Sequence, residues 1–201
     1  LGAEHTRVEH DPDFDFLAPD TNVEQVKCLG LLERLPSPTI DWKKVRMYYY
    51  LQHHFSMLDV LGGCLFTFAP VRTFTMTDLV LMTNAITGWE TSLWELMKLG
   101  ERRWNLVRLY NIREGFMKED DWLPDRMFTG LENGPEKGRA IDRKAFHEAL
   151  DLYYEMCNWD KNAVPRTAKL VELDLMWAAE RKEEWAAKGK LMRMKGNLDW
   201  L

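Results

Sequence analysis

From Trp42 to Leu58, apolar side chains recur at helical spacing, with Asp41 just before them and Gly62-Gly63 just after. A carboxylate at such a start accepts from unpaired N–H groups of the first turn, and a glycine past the last turn takes the left-handed conformation that ends a helix. This stretch therefore predicts a helix with marked ends, and the same grammar repeats. A second helix runs from near Thr75 to Gly88 through Leu79, Leu81, Met82 and Ile86. A third starts at Thr91 or Ser92 and passes Leu93, Leu96, Trp104, Leu106, Leu109 and Tyr110 before Gly115. Gly100 interrupts it, at a cost of about 1 kcal/mol relative to Ala, and marks a kink or a close packing contact. After Asp142, Phe146, Ala149, Leu150, Tyr153 and Met156 make one apolar face. Pro165 suits the first turn of a last long helix with Leu170, Leu173, Leu175 and Trp177, continued by a Glu/Lys/Ala-rich solvated stretch from Ala178 to Lys190. Strand signals are sparse, and Cys64–Phe68 is the one candidate for a short extended segment. The stretch Glu114–Gly138, with Pro124, Gly130, Gly134 and Pro135, reads as a long ordered loop. Leu1–Asp20 reads as irregular chain laid over something else. The expectation is an all-α, irregular helical domain.

Composition narrows the function classes. The 201 residues are 46% hydrophobic and 29% charged, which excludes a disordered or collagen-like chain. Acids outnumber bases 32 to 27, for a formal charge of -5, which argues against general nucleic-acid binding. No apolar run approaches the ~18 residues of a membrane span. Cys28, Cys64 and Cys157 are odd in number and far apart, with no C-x-x-C pair. They make neither a disulfide scaffold nor a complete zinc site, and the cytoplasm is the expected compartment. Cys28 and Cys157 are read as buried thiols. His53-His54 lacks the i, i+4 spacing of a metal pair, and Tyr48-Tyr49-Tyr50 is read as packing. Arg102, Asn105, Arg108 and Arg113 are read as partners of Glu101, Glu114 or Asp121.

The informative segment is Asp59-Val60-Leu61-Gly62-Gly63-Cys64. A carboxylate in the last turn of an apolar helix sits against the negative end of the macrodipole, a cost of about 0.3–1 kcal/mol. It calls for strong donors: an Arg fork, or the paired N–H groups of an aminopyrimidine edge. The glycines let another group approach the backbone, and a thiolate at the exit of the turn could ligate a soft metal or an iron–sulfur cluster. Residue types alone leave a second reading open: a helix ending in Gly-Gly, a buried Asp paired to an Arg, and a buried thiol.

Asp59-x-x-Gly62-Gly63-Cys64 resembles the D-x-x-G-L-C motif of the aldehyde ferredoxin oxidoreductase family of tungsten bis-pterin enzymes. Further motifs follow in the family's order. Thr87-Gly88-Trp89-Glu90 is similar to T-G-x-[DE], and Gly100-Glu101-Arg102-x-x-Asn105-Leu106 to G-E-R-x-x-N-L. Arg108-x-Tyr110-Asn111-x-Arg113-Glu114-Gly115 is similar to R-x-[FY]-N-x-R-E-G, and Asp121-x-Leu123-Pro124-x-Arg126 to D-x-L-P-x-R. Tyr153-Tyr154, Asn158-Trp159-Asp160 and Pro165 resemble the closing Y-Y, G-W-D and P. The resemblance covers residues 1–175 and implies the last helical domain of such an enzyme, with 176–201 a helical extension beyond it.

The resemblance implies that Asp59 binds one pterin through its ring N–H groups. Leu61, Gly62 and Gly63 would join it in cofactor binding, and Cys64 would be the fourth ligand of a [4Fe-4S] cluster. Gly2-Ala3-Glu4-His5 is similar to the end of R-G-A-x-H, with Leu1 in place of the Arg, and implies a proton-transferring histidine at His5; His10 is the fallback. The tungsten bis-pterin and the cluster both need sequence missing here, so the expected partners are the pterin-holding and first helical domains, and ferredoxin or an electron-transfer subunit. The chain, which begins at Leu1, is read as a fragment or one part of a split enzyme, inactive alone. The implied reaction interconverts an aldehyde and a carboxylic acid, on tungsten or molybdenum. The alternatives are the tungsten subunit of a benzoyl-CoA reductase type complex and a non-catalytic helical scaffold. Two departures stand out: Gly63 replaces the usual Leu, and Asn158 replaces the Gly before Trp159, at a helix end where Asn is tolerated.

Overall fold

A computed structural model describes residues 8–195. Among these residues the structure is helical, and the one extended pairing is an isolated bridge between Trp159 and Pro165. In chain order the helices are α1 (Asp20–Val26), α2 (Trp42–Leu61), α3 (Leu65–Phe68), α4 (Met76–Thr87), α5 (Leu93–Arg113), α6 (Arg143–Met156), α7 (Thr167–Glu172), α8 (Met176–Ala179) and α9 (Lys182–Met194). The all-α expectation holds.

The capping residues act as their chemistry dictates. Asp41 accepts from Lys44 N–H at 3.0 Å to open α2. Thr75 and Asp78 form a reciprocal capping box at the start of α4, and Gly88 closes that helix at φ 74°. Asp142 accepts from Ala145 N–H at 2.6 Å to open α6. Ser92 and Glu95 exchange the same pair of bonds before α5.

The described residues divide into two compact units. The amino-terminal unit holds residues 8–39 and 46–106; the carboxyl-terminal unit holds 40–45 and 107–195. The first is built on two apolar clusters, one around Phe14, Val26, Leu31, Leu35, Met47, Leu51 and Met76, the other around Met57, Leu58, Leu79 and Leu96. Phe14 is a core anchor, so the start of the chain is more than a covering strap. Gly100 marks close packing rather than a kink: a Cβ there would lie 2.0 Å from the His53 carbonyl oxygen. Only glycine lets α5 meet α2 at that point.

In the carboxyl-terminal unit, Tyr153, Tyr154 and Trp159 pack edge-on and stacked. Arg108 is the tie. Its Nε donates to Ala163 O at 2.9 Å, its two Nη atoms reach Asp121 at 2.9 and 2.7 Å, and its guanidinium lies over the Trp159 ring. Tyr154 OH donates to the same Asp121 carboxylate at 2.8 Å. Of the residues read as ion-pair partners, Arg108 pairs with Asp121 and Arg113 with Glu114. The Glu114–Gly138 stretch is ordered around stacked Trp122 and Phe128.

Three expectations are corrected. Cys64–Phe68 is not extended; Leu65–Phe68 is a helical turn that begins after Cys64. The single long helix from Pro165 is divided into α7, α8 and α9, and the chain reverses between the first two at Asp174, with φ 54°. Cys28 is exposed, its Sγ 3.5 Å from Met76 Sδ, while Cys157 is buried as expected. The solvated continuation forms α9, and it docks on its own unit. Gly189 packs against the Ile112 carbonyl, and Arg193 pairs with Asp120.

Candidate functional site

The residues singled out by the sequence meet at the end of α2. Leu58 O accepts from Gly63 N–H at 2.9 Å, the six-residue closure of a Schellman turn. Gly62 takes the left-handed position at φ 70°. A Cβ at Gly62 would meet nothing within 4 Å, so the chain turns here beside open space. At Gly63 the φ is ordinary, and an added Cβ would lie 3.1 Å from Leu58 Cδ2. Cys64 follows with extended backbone and N-caps the short α3. Its thiol belongs to an exposed residue. Asp59, Gly62, Cys64 and Phe66 are all exposed, and Leu61 is half-buried. They form a solvent-facing strip around the turn.

Asp59 is not in an apolar pocket. Arg103 Nη2 stands 2.8 Å from its Oδ2, with the two side chains 31% and 41% exposed, Arg103 and Asp59 respectively. An ion pair this open is worth about 0–1 kcal/mol. It offsets the macrodipole cost without sealing the carboxylate away from a ligand. The buried-pair reading fails on exposure, and so does the buried-thiol reading of Cys64.

Arg103 was not singled out in the sequence. Its signal is Gly100, one turn earlier on the same face of α5. Gly100 brings α5 onto α2, Ser56 Oγ donates to Gly100 O at 2.8 Å, and Arg103 then reaches Ser56 Oγ at 3.3 Å as well as Asp59. Behind the turn, His54 Nε2 lies 3.0 Å from Phe68 O, tying the centre of α2 to the end of α3. Burial lowers the pKa of this imidazole to about 4, against a raising pull from the Phe68 carbonyl. It is therefore neutral near pH 7, with Nε2 the donor.

His53 and His54 are both buried. Tyr49 packs edge-on to His53 and donates to Glu101 at 3.2 Å. The packing reading of the tyrosine run therefore holds for Tyr49. His5 lies outside the described residues. His10 is half-exposed, at the start of a 3-10 turn.

As a ligand set, the strip offers one exposed thiol, one half-open carboxylate and a glycine-lined approach to the backbone. No group of three candidate metal ligands includes Cys64 among the described residues. The strip thus fits one edge of a cofactor site, whose other ligands would come from elsewhere. Among the described residues, no helix is long and apolar enough to cross a membrane.

Comparison with known proteins places the chain in a family. A chain from Pyrococcus horikoshii named tungsten-containing aldehyde ferredoxin oxidoreductase is 34% identical over 152 residues, 74% of this chain and 24% of that one. Its namesake from Thermococcus kodakarensis is 33% identical over 143 residues, 70% of this chain and 23% of its own. The chain thus spans about a quarter of the length of these relatives. Among solved structures, the active site complex BamBC of benzoyl coenzyme A reductase aligns with a TM-score of 0.58 at 22% identity, covering 72% of this chain and 21% of that one. That likeness carries the fold. A sequence model described as "Aldehyde ferredoxin oxidoreductase, domains 2 & 3" matches residues 1–175, and the chain belongs to that family.

Proposed function

We propose that this chain is the carboxyl-terminal part of a tungsten bis-pterin, iron–sulfur oxidoreductase that interconverts an aldehyde and a carboxylic acid. Residues 176–201 extend the family domain. The partners are the pterin-holding and first helical domains and, beyond them, ferredoxin or an electron-transfer subunit, all in the cytoplasm. The observation that carries this reading is the exposed turn Asp59–Cys64, in a chain whose relatives are named tungsten-containing aldehyde ferredoxin oxidoreductases.

The metal, held by its pterins, would supply the two-electron and oxygen-transfer chemistry, and the cluster the path for electrons. This chain's residues do the holding. Asp59, steadied by Arg103, accepts hydrogen bonds from a pterin ring edge. Gly62 keeps the approach clear of a side chain where the backbone turns, and Gly63 leaves the turn without a side chain packed on Leu58. Cys64 presents its sulfur outward from the first residue before α3. His54 fixes the far end of α3 through Phe68 O, so that the short helix Cys64 starts is anchored at its end. His5 is the proposed proton carrier.

The benzoyl-CoA reductase alternative shares the fold neighbour, which therefore does not discriminate. The aldehyde reading rests on relatives above 30% identity. Metal analysis of the complete native assembly tests it: tungsten and iron should copurify in fixed ratio, and Asp59→Ala should lower pterin retention while leaving the chain folded. An assembly with neither metal would support the scaffold reading instead.

A further inference from the structure

The first turn among the described residues, Glu9 to Phe14, holds an arrangement that the proposed enzyme reading does not use. Glu9 has a side chain only 2% exposed. Arg72 Nη2 holds its Oε1 at 3.1 Å, while Oε2 is buried with no hydrogen-bond partner among the described residues. Leaving a buried acceptor unsatisfied costs about 1–3 kcal/mol, and more for a charged one. Burial raises the Glu9 pKa against the lowering pull of Arg72, and the neighbouring Asp13 carboxylate raises it further. Something positive belongs beside that oxygen.

The local backbone supplies the rest. Pro12 helps set a 3-10 turn over Asp11–Phe14, and His10 O accepts from Asp13 N–H at 3.0 Å. This folds Asp13 back toward His10 and Glu9. His10 Nδ1 lies 3.8 Å from Glu9 Oε1 and 3.9 Å from Asp13 Oδ2. Those distances are too long for hydrogen bonds. One ligand atom from each of the three residues lies within 4.8 Å of the others. Donors about 2.0–2.2 Å from a tetrahedral ion sit about 3.4 Å apart, so the two His10 distances would have to contract by about 0.5 Å and the third by at most about 1.4 Å to close the set.

We propose that Glu9, His10 and Asp13 form a binding site for a divalent transition-metal ion of the Zn2+ class. Two carboxylates and one imidazole make a mixed N/O donor set, which suits Zn2+ better than a hard ion that prefers oxygen alone. The site is built rather than incidental: its floor is the buried Glu9 carboxylate, whose Oε1 lies 3.8 Å from His10 Nδ1 and is held by Arg72, and whose Oε2 has no hydrogen-bond partner among the described residues. His10 and Asp13, 52% and 31% exposed, form the mouth, where solvent completes the coordination. Bound there, the ion would fasten the turn that inserts Phe14 into the core of the amino-terminal unit.

The test is calorimetric titration of Zn2+ into the chelator-treated full protein at neutral pH. One ion per chain should bind. His10→Ala and Asp13→Asn should each weaken binding at least about tenfold, since even loss of an outer partner of a metal ligand costs that much. These two side chains are partly exposed, so their variants keep the test valid if Glu9→Gln fails to fold. His147→Ala, in a separate surface pair with Asp151, should bind as wild type. Absence of uptake would mean that a proton shared by Glu9 and Asp13 takes the ion's place, and would overturn the proposal. Uptake unchanged in both His10→Ala and Asp13→Asn would overturn it equally.

Discussion

The same turn ends three helices, and it is finished differently in the two units. After α6, Asn158 takes the left-handed position at φ 53°, and Trp159 N–H closes on Tyr154 O at 2.8 Å. After α7, Asp174 does so at φ 54°, and Leu175 N–H closes on Leu170 O at 2.7 Å. In both, the residue after the left-handed one is large, apolar and buried, the usual hydrophobic seal of a Schellman motif. After α2, in the amino-terminal unit, the backbone does the same thing, but the sealing position is Gly63 and the next residue is an exposed cysteine. The sealed turns serve the core. The unsealed one leaves backbone, carboxylate and thiol accessible, which is what a cofactor site requires.

The two Arg–Asp pairs repeat the contrast. Arg108 is 8% exposed, forks onto Asp121, and has Tyr154, Ala163 and Trp159 around it. Arg103–Asp59 is half-open. One pair is committed to structure; the other is available.

Four probes test this contrast, ranked by the largest effect that each contains. Trp159→Ala removes the seal behind α6 and should cost about 3–5 kcal/mol in denaturant unfolding. A loss below about 1 kcal/mol would mean that the seal is not structural. Arg108→Ala strands Asp121 and should cost about 3 kcal/mol, whereas Arg103→Ala should cost less than about 1 kcal/mol. Equal costs would erase the distinction between the pairs.

Acid should act through His54, whose pKa is lowered by burial to about 4. Above pH 6.5, the ordinary value, the imidazole is neutral in both folded and unfolded chains. As the pH falls from about 6.5 to 4, the unfolded chain takes up a proton that the fold excludes. Stability is therefore lost over that window, by at most ~3 kcal/mol. His54→Leu should flatten this part of the stability–pH curve, and an unchanged slope would reassign the effect. Smallest is Gly62→Ala, which forces a Cβ into the left-handed region at about 1–2 kcal/mol, in open space. Gly62→Asn should cost less, because Asn158 already occupies the equivalent position after α6.

Helix starts were legible because Asp41, Thr75 and Asp142 are capping residues followed by apolar periodicity. Ends were legible where a Gly or an Asn marked them, at Gly62, Gly88 and Asn158. The break at Asp174 was hidden because Asp seldom fills a left-handed cap, and the apolar spacing of Leu170, Leu173 and Leu175 continues through it. That spacing exists because Leu175 seals a turn rather than extending a helix. At the candidate site, the turn and its thiol could be read from residue types. The exposure of Asp59 could not, because it depends on Arg103 arriving from α5, a contact set by the Gly100 crossing and invisible to local pattern.

The most direct test of the central claim is the iron–sulfur signal of the complete enzyme carrying Cys64→Ala, read by low-temperature electron paramagnetic resonance and iron content, beside Cys28→Ala as a second exposed thiol. Cys64→Ala should lose or convert the cluster signal while the protein stays folded, and Cys28→Ala should keep it. An intact cluster in Cys64→Ala, with full iron content, would rule out Cys64 as a cluster ligand.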